Sequence, residues 1–312
     1  MNIYLYIVRR LLYAIPIFLG VCLLIFVCFN LSGGDPALTL LGKHATKEQI
    51  AILNHQLGLD KPYFLQYIDI IKSAFTFNFG KSWSTQQQIS KMIFEGGAVT
   101  LSLTIPAFVC SSILSIALSL FSAFKRGYFL DKILVVTSIV MMSISVLAYI
   151  LFGQWFFAFK LGIFPIAGYE SGFPEFIPYI ILPSLIWIML SVGPDMRLFR
   201  TMILDEMYQD YVRTAKAKGL SSRVILLKHV LKNASIPIIT SLMAQVPFLI
   251  LGSLLLESFF SIPGLGSMIL DGIMNSDFPV IKAMTITVSF IYIFVNILTD
   301  IFYVIVDPRI KL

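Results

Sequence analysis

The sequence predicts an all-α integral membrane protein. It has six transmembrane helices, a small extracytoplasmic helical domain between the first and second, and a short cytoplasmic helix between the fourth and fifth. Three observations carry this. The 312 residues are 58% hydrophobic and 13% charged, with a mean hydropathy of +0.88, against roughly 45–50% apolar and 25% charged for a soluble domain. Apolar runs near the length of about 20 residues that a bilayer demands recur along the chain. One interval between them, 197–232, is mostly polar and holds eight Lys/Arg against three acids.

Taken in order, Arg9-Arg10 precedes an apolar run over 11–29. That run is longer than the roughly 7–15-residue core of a secretion signal, and no small-x-small cleavage site follows, so an uncleaved first span is expected. The pair lacks the polar context of a twin-arginine export signal. Residues 32–97 are mixed in character and contain no span. Thr46-x-x-Gln49 is a capping box with Ile50, Leu53 and Leu57 on one face. Gly58 ends that helix and Asp60-Lys-Pro62 restarts one, with Phe64, Ile68, Ile71 and Phe75 in line. Spans are expected over 99–123, 133–157, 179–196, 236–256 and 283–306. The Gly- and Pro-broken stretch 257–282 is not expected to cross. The division is therefore 1–31 (tail and first span), 32–97 (outer domain) and 98–312 (five-helix core with the loop 197–234).

Six spans put both termini on one side, and charge chooses which. The N-terminal side collects fifteen Lys/Arg and the other side eight, most of those in the long 32–97 loop. By the positive-inside rule the termini and the 197–232 stretch are cytoplasmic. The basic balance (pI ≈ 9.1) thus reports orientation, and no nucleic-acid partner is expected.

Within 197–232, Met207, Tyr211, Ala215 and Lys218 fall at helical spacing, and Gly219 stands where a helix end favours positive φ. Ser221 and Ser222 can cap a second short helix over 224–231, ending before Pro237. Ala215 and Gly219, four apart, predict a side-chain-poor strip that a partner can approach closely. In the sixth span Thr285, Ser289, Tyr292, Asn296, Asp300, Tyr303 and Asp307 form one polar stripe. It either lines a solute path or packs helices. For Asp300, which costs on the order of 2.5–3.5 kcal/mol at a helix centre, the expected role is pairing with a base such as Arg10. Glu257, at the outer end of the fifth span, is expected at the headgroups, with a path-lining role as the alternative.

Catalytic chemistry is not evident. Cys22, Cys28 and Cys110 lie in apolar runs away from His44, His55 and His229, which suggests neither a disulfide nor a metal site. Gly80-Lys81-Ser82 resembles the end of a phosphate-binding loop, but Phe75 stands where that motif requires Gly. If ATP powers this chain, another subunit must bind it.

Asp210-Tyr-Val-Arg-Thr-Ala-Lys-Ala-Lys-Gly219-Leu220 resembles the cytoplasmic "EAA" loop of binding-protein-dependent ABC importers, in the form used by the dipeptide/oligopeptide/nickel permease family. Further resemblance runs end to end. It includes Arg9-Arg-Leu-Leu with Ile15-Pro16, Gly34-Asp-Pro36, Leu57-Gly-Leu-Asp-Lys-Pro62 with Gln66-Tyr67, and Phe79-Gly-Lys-Ser82. It continues through Leu182-Pro183, His229 with Asn233-Ala234 and Pro237, Glu257-x-x-Phe260-x-x-Pro263-Gly-Leu-Gly266, Asp277-x-Pro279 and Asp307-Pro-Arg309. The departure is Arg213-Thr214-Ala215 in place of Glu-Ala-Ala.

The resemblance implies a permease subunit in a bacterial inner membrane. Its expected companions are a homologous second permease, two ATPase subunits that hold ATP and Mg, and an extracytoplasmic solute-binding protein; this chain itself binds no cofactor. Asp210, Tyr211, Arg213, Ala215, Lys216, Gly219 and Leu220 would form the coupling helix that docks on the ATPase. Glu257, Pro263, Gly264 and Gly266 would serve the outer gate or binding-protein surface, and Ser289, Tyr292, Asn296 and Asp300 the path or its packing. Peptide is the expected solute because few His or Cys are available to ligate a bare metal; nickel or a metal chelate is the alternative. An ion-gradient carrier is the remote one, since no inverted repeat of three spans is evident.

Overall fold

The computed structural model describes residues 3–31, 60–252 and 254–306, together with Thr46, Glu48, Asn54 and His55. Gln49 of the expected capping box, with Ile50, Leu53, Leu57 and Gly58, the Gly34-Asp-Pro36 motif, Asp307 and Arg309 lie outside these. The described residues are helical throughout, apart from short connections and one isolated bridge between Lys81 and Gln88. Among the described residues, five helices are long and apolar enough to cross a membrane, and six if one bent pair is a single span.

The first helix, α1 (Ile3–Leu31), packs beside α2 (Tyr63–Thr76) and the last helix, α12 (Phe278–Val306). Phe18, Cys22, Ile25, Ile70 and Ile286 bury together there. The face α2 presents is Tyr67, Ile70, Ile71 and Ala74, and the Tyr67 hydroxyl donates to the Leu19 carbonyl at 2.9 Å. Of the expected line Phe64, Ile68, Ile71 and Phe75, the ends Phe64 and Phe75 are 72% and 71% exposed, so the face packed on α1 and α12 is offset from that line and shares Ile71 with it. Two apolar lines run along this helix, and the one carrying Tyr67 wins because its hydroxyl also satisfies a backbone acceptor. Pro62 stands just before the first turn, as its N-cap.

The longest helix, α3 (Ile89–Phe124), begins well ahead of the expected span start at 99. Its 36 residues extend about 54 Å, against a hydrocarbon core of about 30 Å. Its buried face is small and polar: Thr100, Thr104, Ala107, Ser111, Ser115, Ser119 and Ser122. Such a face lets a neighbouring backbone come close in lipid, and α6 (Ile177–Met207) lies along it.

The expected straight third span over 133–157 is instead broken into α4 (Phe129–Ser143) and α5 (Val146–Gly153), the latter continuing as a π-helix over Gln154–Lys160. The halves bend by 94°. Ile144 is extended (φ −86°, ψ 132°), and the Ser145 hydroxyl accepts the Ala148 N–H at 3.2 Å to start the second half. An N-cap of this kind satisfies a donor that a break would orphan.

Towards the 197–232 stretch α6 overruns its expected end and carries Met207, so Met207 is not on the helix of Tyr211. A break at Tyr208-Gln209 separates it from α7 (Asp210–Ala217). The next helix was expected to stop before Pro237. Instead α8 (Ser222–Val224) passes through a π-helical turn, Ile225–Val230, directly into α9 (Leu231–Leu251), with Pro237 and Pro247 inside it. Ser221 holds the N-cap backbone geometry without a side-chain bond. Gly252 at φ +68° ends α9. The outer segment then folds as α10 (Leu254–Phe259) and α11 (Leu265–Met274), which at ten residues does not cross.

Candidate coupling and gating site

The basic element between the fourth and fifth expected spans is closed by a specific turn. The Gly219 N–H donates to the Lys216 carbonyl at 2.9 Å and the Leu220 N–H to the Ala215 carbonyl at 3.3 Å, with Gly219 at φ +78°. This pair of bonds is the Schellman C-cap expected of a left-handed glycine. A Cβ on Gly219 would meet nothing within 4 Å, so the turn faces open space. Leu220, Lys216 and Arg213 are exposed beside it, and Arg213 pairs with Asp210 at 3.5 Å.

Ala215 does not share that open face. It is 5% exposed and packs with Val212 against Phe199 and Ile203 of α6 and Ile225, Leu226 and Val230 of the next helix. The expected Ala215–Gly219 strip therefore separates into an inward anchor and an outward turn. The Tyr211 hydroxyl donates to Glu206 at 2.6 Å; burial and that bond, opposed by Asn233, push its pKa up to about 12. At every physiological pH the phenol is thus a neutral donor tying α7 to the end of α6.

Beneath this element Arg200 of α6 forms a bidentate pair with Asp131 of α4, Nε to Oδ1 at 3.0 Å and a terminal nitrogen to Oδ2 at 2.9 Å. The Ser122 hydroxyl also donates to Asp131, as does the Gly127 N–H at 3.0 Å. Three helices, α3, α4 and α6, are clamped together by these bonds.

A second site centres on Glu257, which is buried inside the protein, 0% exposed, instead of facing headgroups or a path. Its Oε1 accepts the Thr100 hydroxyl of α3 at 2.9 Å. Its Oε2 accepts the backbone N–H of Gly266 at 2.7 Å and of Ser267 at 3.2 Å. A carboxylate at the first turn of α11 meets both its free donors and its helix dipole. A Cβ on Gly264 would stand 2.4 Å from Glu257 Oε2, and one on Gly266 2.8 Å from Leu254 Cα. The Pro263-Gly-Leu-Gly266 turn is thus wrapped on a buried acid.

Asp277 plays the same part for the 80–88 loop, accepting from the Ser82 hydroxyl at 2.6 Å and from Ser84 through both N–H (3.0 Å) and hydroxyl (2.7 Å). Gly80-Lys81-Ser82 is therefore one side of a latch between loop and helix. Burial pushes the Asp277 carboxyl up, but these hydrogen bonds outweigh it and hold it below the usual carboxylate range. Between the start of α3, the Gly264 turn and Asp277 lies an outer cavity of about 790 Å³ that also takes in Glu95, Tyr169 and Asp271.

Along α12, Ser289, Tyr292, Asn296 and Asp300 of the polar stripe line a groove of about 440 Å³ against α1. Ser289 and Asn296 spend donors on carbonyls one turn back, and Asp300 pairs with Arg10 at 3.0 Å, the expected partner. The sequence reading missed Asp195, a carboxylate only 7% exposed within α6, which accepts from Gln245 of α9 at 3.1 Å. An acid inside an apolar span was itself the signal that could have found it.

The chain matches the family model described as "binding-protein-dependent transport system inner membrane component" over residues 115–312, and that of the N-terminal part of such membrane components over 3–104. It is 32% identical over 311 residues to a probable peptide ABC transporter permease protein, y4tP, of Sinorhizobium fredii, covering 98% of this chain and 99% of that one. It is 33% identical over 329 residues to the dipeptide transport system permease protein DppB of Alkalihalophilus pseudofirmus (98% and 99%). It is also 32% identical over 306 residues to the glutathione transport system permease protein GsiC of Salmonella typhi (98% of each). A helical chain with this series of apolar spans, matched along its whole length in this way, belongs to the family of binding-protein-dependent transport system inner membrane components.

Proposed function

We propose that the chain is the permease subunit of an ATP-driven importer of peptides, working with a homologous second permease, two cytoplasmic ATPase subunits and a solute-binding protein. ATP and Mg would be bound by the ATPases. The observation that carries the coupling assignment is the open, basic turn at Gly219 set on a rigid base. Val212 and Ala215 bury the turn's helix against α6 and the start of α9, so a displacement of α7 acts on two membrane helices together.

Those helices lead outward. The fifth span, α9, ends at Gly252, two residues before α10, whose Glu257 is bonded to α3 and to the first turn of α11. A push at the cytoplasmic turn would thus reach the Gly264 turn and the outer cavity through packed, hydrogen-bonded elements. The same outer surface, with the 32–97 region, is the proposed seat of the binding protein. Peptide as solute rests on the full-length likeness to permeases named for peptides, a dipeptide and glutathione.

The test is uptake of a labelled dipeptide by vesicles holding the assembled complex, with ATP supplied on the ATPase side. The proposal expects vanadate-sensitive uptake that survives a proton ionophore. Uptake abolished by the ionophore alone and indifferent to vanadate would replace it with a gradient-driven carrier.

A further inference from the structure

Beside the coupling helix, at the end of α3, lies a third recess. It encloses about 330 Å³. Its floor is apolar (Val212, Ile225, Leu226), its wall is Phe124 and Tyr128, and its rim carries Lys125, Lys216 and Ser222, with no acid among the lining residues. The acids nearest in sequence to its lining residues are Asp205 and Glu206, just before Met207, and Asp210, two before Val212. Glu206 accepts from Tyr211 and Asp210 pairs with Arg213, while Asp131 of α4 is held by Arg200 and Ser122.

Its depth is marked by aromatic residues. Tyr128 and Phe129 are 68% and 76% exposed and separate the apolar ends of α3 and α4, as interfacial aromatics do. Lys125 lies over both the Phe124 and Tyr128 rings, its ammonium 5.8 and 5.7 Å from their centroids. That packing holds the charge at the rim with no carboxylate against it. Apolar floor, interfacial aromatics and two lysines together match a phosphate ester that carries hydrocarbon.

We infer that this recess seats the headgroup of an anionic phospholipid of the cytoplasmic leaflet, with its phosphate on Lys125 and Lys216. Because Lys216 and Val212 belong to the coupling helix, a lipid held there would brace that helix against the membrane surface. The inference does not depend on which solute is carried.

The test is native mass spectrometry of the purified complex in mild detergent, with phosphatidylglycerol or phosphatidylcholine added and inorganic phosphate as competitor. Phosphatidylglycerol should be retained over phosphatidylcholine. K125Q/K216Q should weaken that retention by about 30-fold, from roughly fivefold per basic group near a headgroup, while the charge-matched K228Q/K232Q should not. Equal retention of the two lipids, equal loss in the two variants, or displacement by inorganic phosphate at matched concentration would overturn it. Should K125Q/K216Q not assemble, a photoreactive group at Tyr128 decides: cross-linking to lipid supports the site, and cross-linking to a protein subunit makes it a protein seat instead.

Discussion

Thr100 and Glu257, on helices far apart in sequence, share a buried hydrogen bond of 2.9 Å, while the same Thr100 oxygen accepts the Leu265 N–H at 2.8 Å. One hydroxyl thereby joins α3, α10 and α11. Glu257→Ala would leave the Gly266 and Ser267 donors without their carboxylate, at about 1–3 kcal/mol for each buried group unsatisfied. The melting temperature of the purified protein in detergent should drop clearly, and less for Glu257→Gln, which keeps an acceptor. Equal melting of Glu257→Ala and wild type would remove this node from the account.

The Gly219 turn separates a packed residue, Ala215, from an open one, Gly219. Ala215→Leu pushes a larger side chain into the cluster around Phe199, where overpacking costs about 1–3 kcal/mol, so stability and expression should fall. Gly219→Ala meets no neighbour and carries only the left-handed backbone strain of about 1–2 kcal/mol. A melting curve for the two should rank Ala215→Leu as the more damaging; the reverse order would mean that Ala215 faces outward.

For Asp277 the pH dependence has a definite sign. Its folded pKa lies below its ordinary value, so its contribution is fully present above the unfolded carboxylate value of about 3.9. It is lost as pH falls through the lower folded value. Protection of the 80–88 amides in hydrogen exchange, corrected for intrinsic rate, should hold from neutrality down to that range and fail below it. Asp277→Asn should lower it throughout the pH range in which the wild type is protected, and the two should converge below it. Loss of protection already near pH 6 in wild type would contradict the assignment.

Arg200 and Asp131 should behave as one unit. Removing either partner of a buried bidentate pair costs about 3–5 kcal/mol, and the double alanine variant should cost much less than the sum of the singles. Additive losses in a double-mutant cycle measured by thermal unfolding would show that the two act separately.

Much of this architecture was legible in the residues. Length and apolarity placed the spans, Gly219 announced its turn, and Asp300 pointed to Arg10, because each of these signals is local or electrostatic. The 94° break at Ile144-Ser145 was not legible: no Gly or Pro marks it, and a capping Ser looks like any other Ser in an apolar run. The inward turn of Ala215 was hidden because a helix as short as α7 has small residues on more than one side. Glu257 and Asp195 were misread or missed for a common reason. Their partners, Thr100 and Gln245, come from other helices, and sequence spacing does not reveal a contact made by packing.

The measurement that bears most directly on the central claim is Gly219→Asp in the assembled complex, with ATP hydrolysis and dipeptide uptake followed in the same vesicles. The account expects normal insertion, continued hydrolysis and uptake reduced to background. Uptake at the wild-type rate from the well-inserted variant would contradict it.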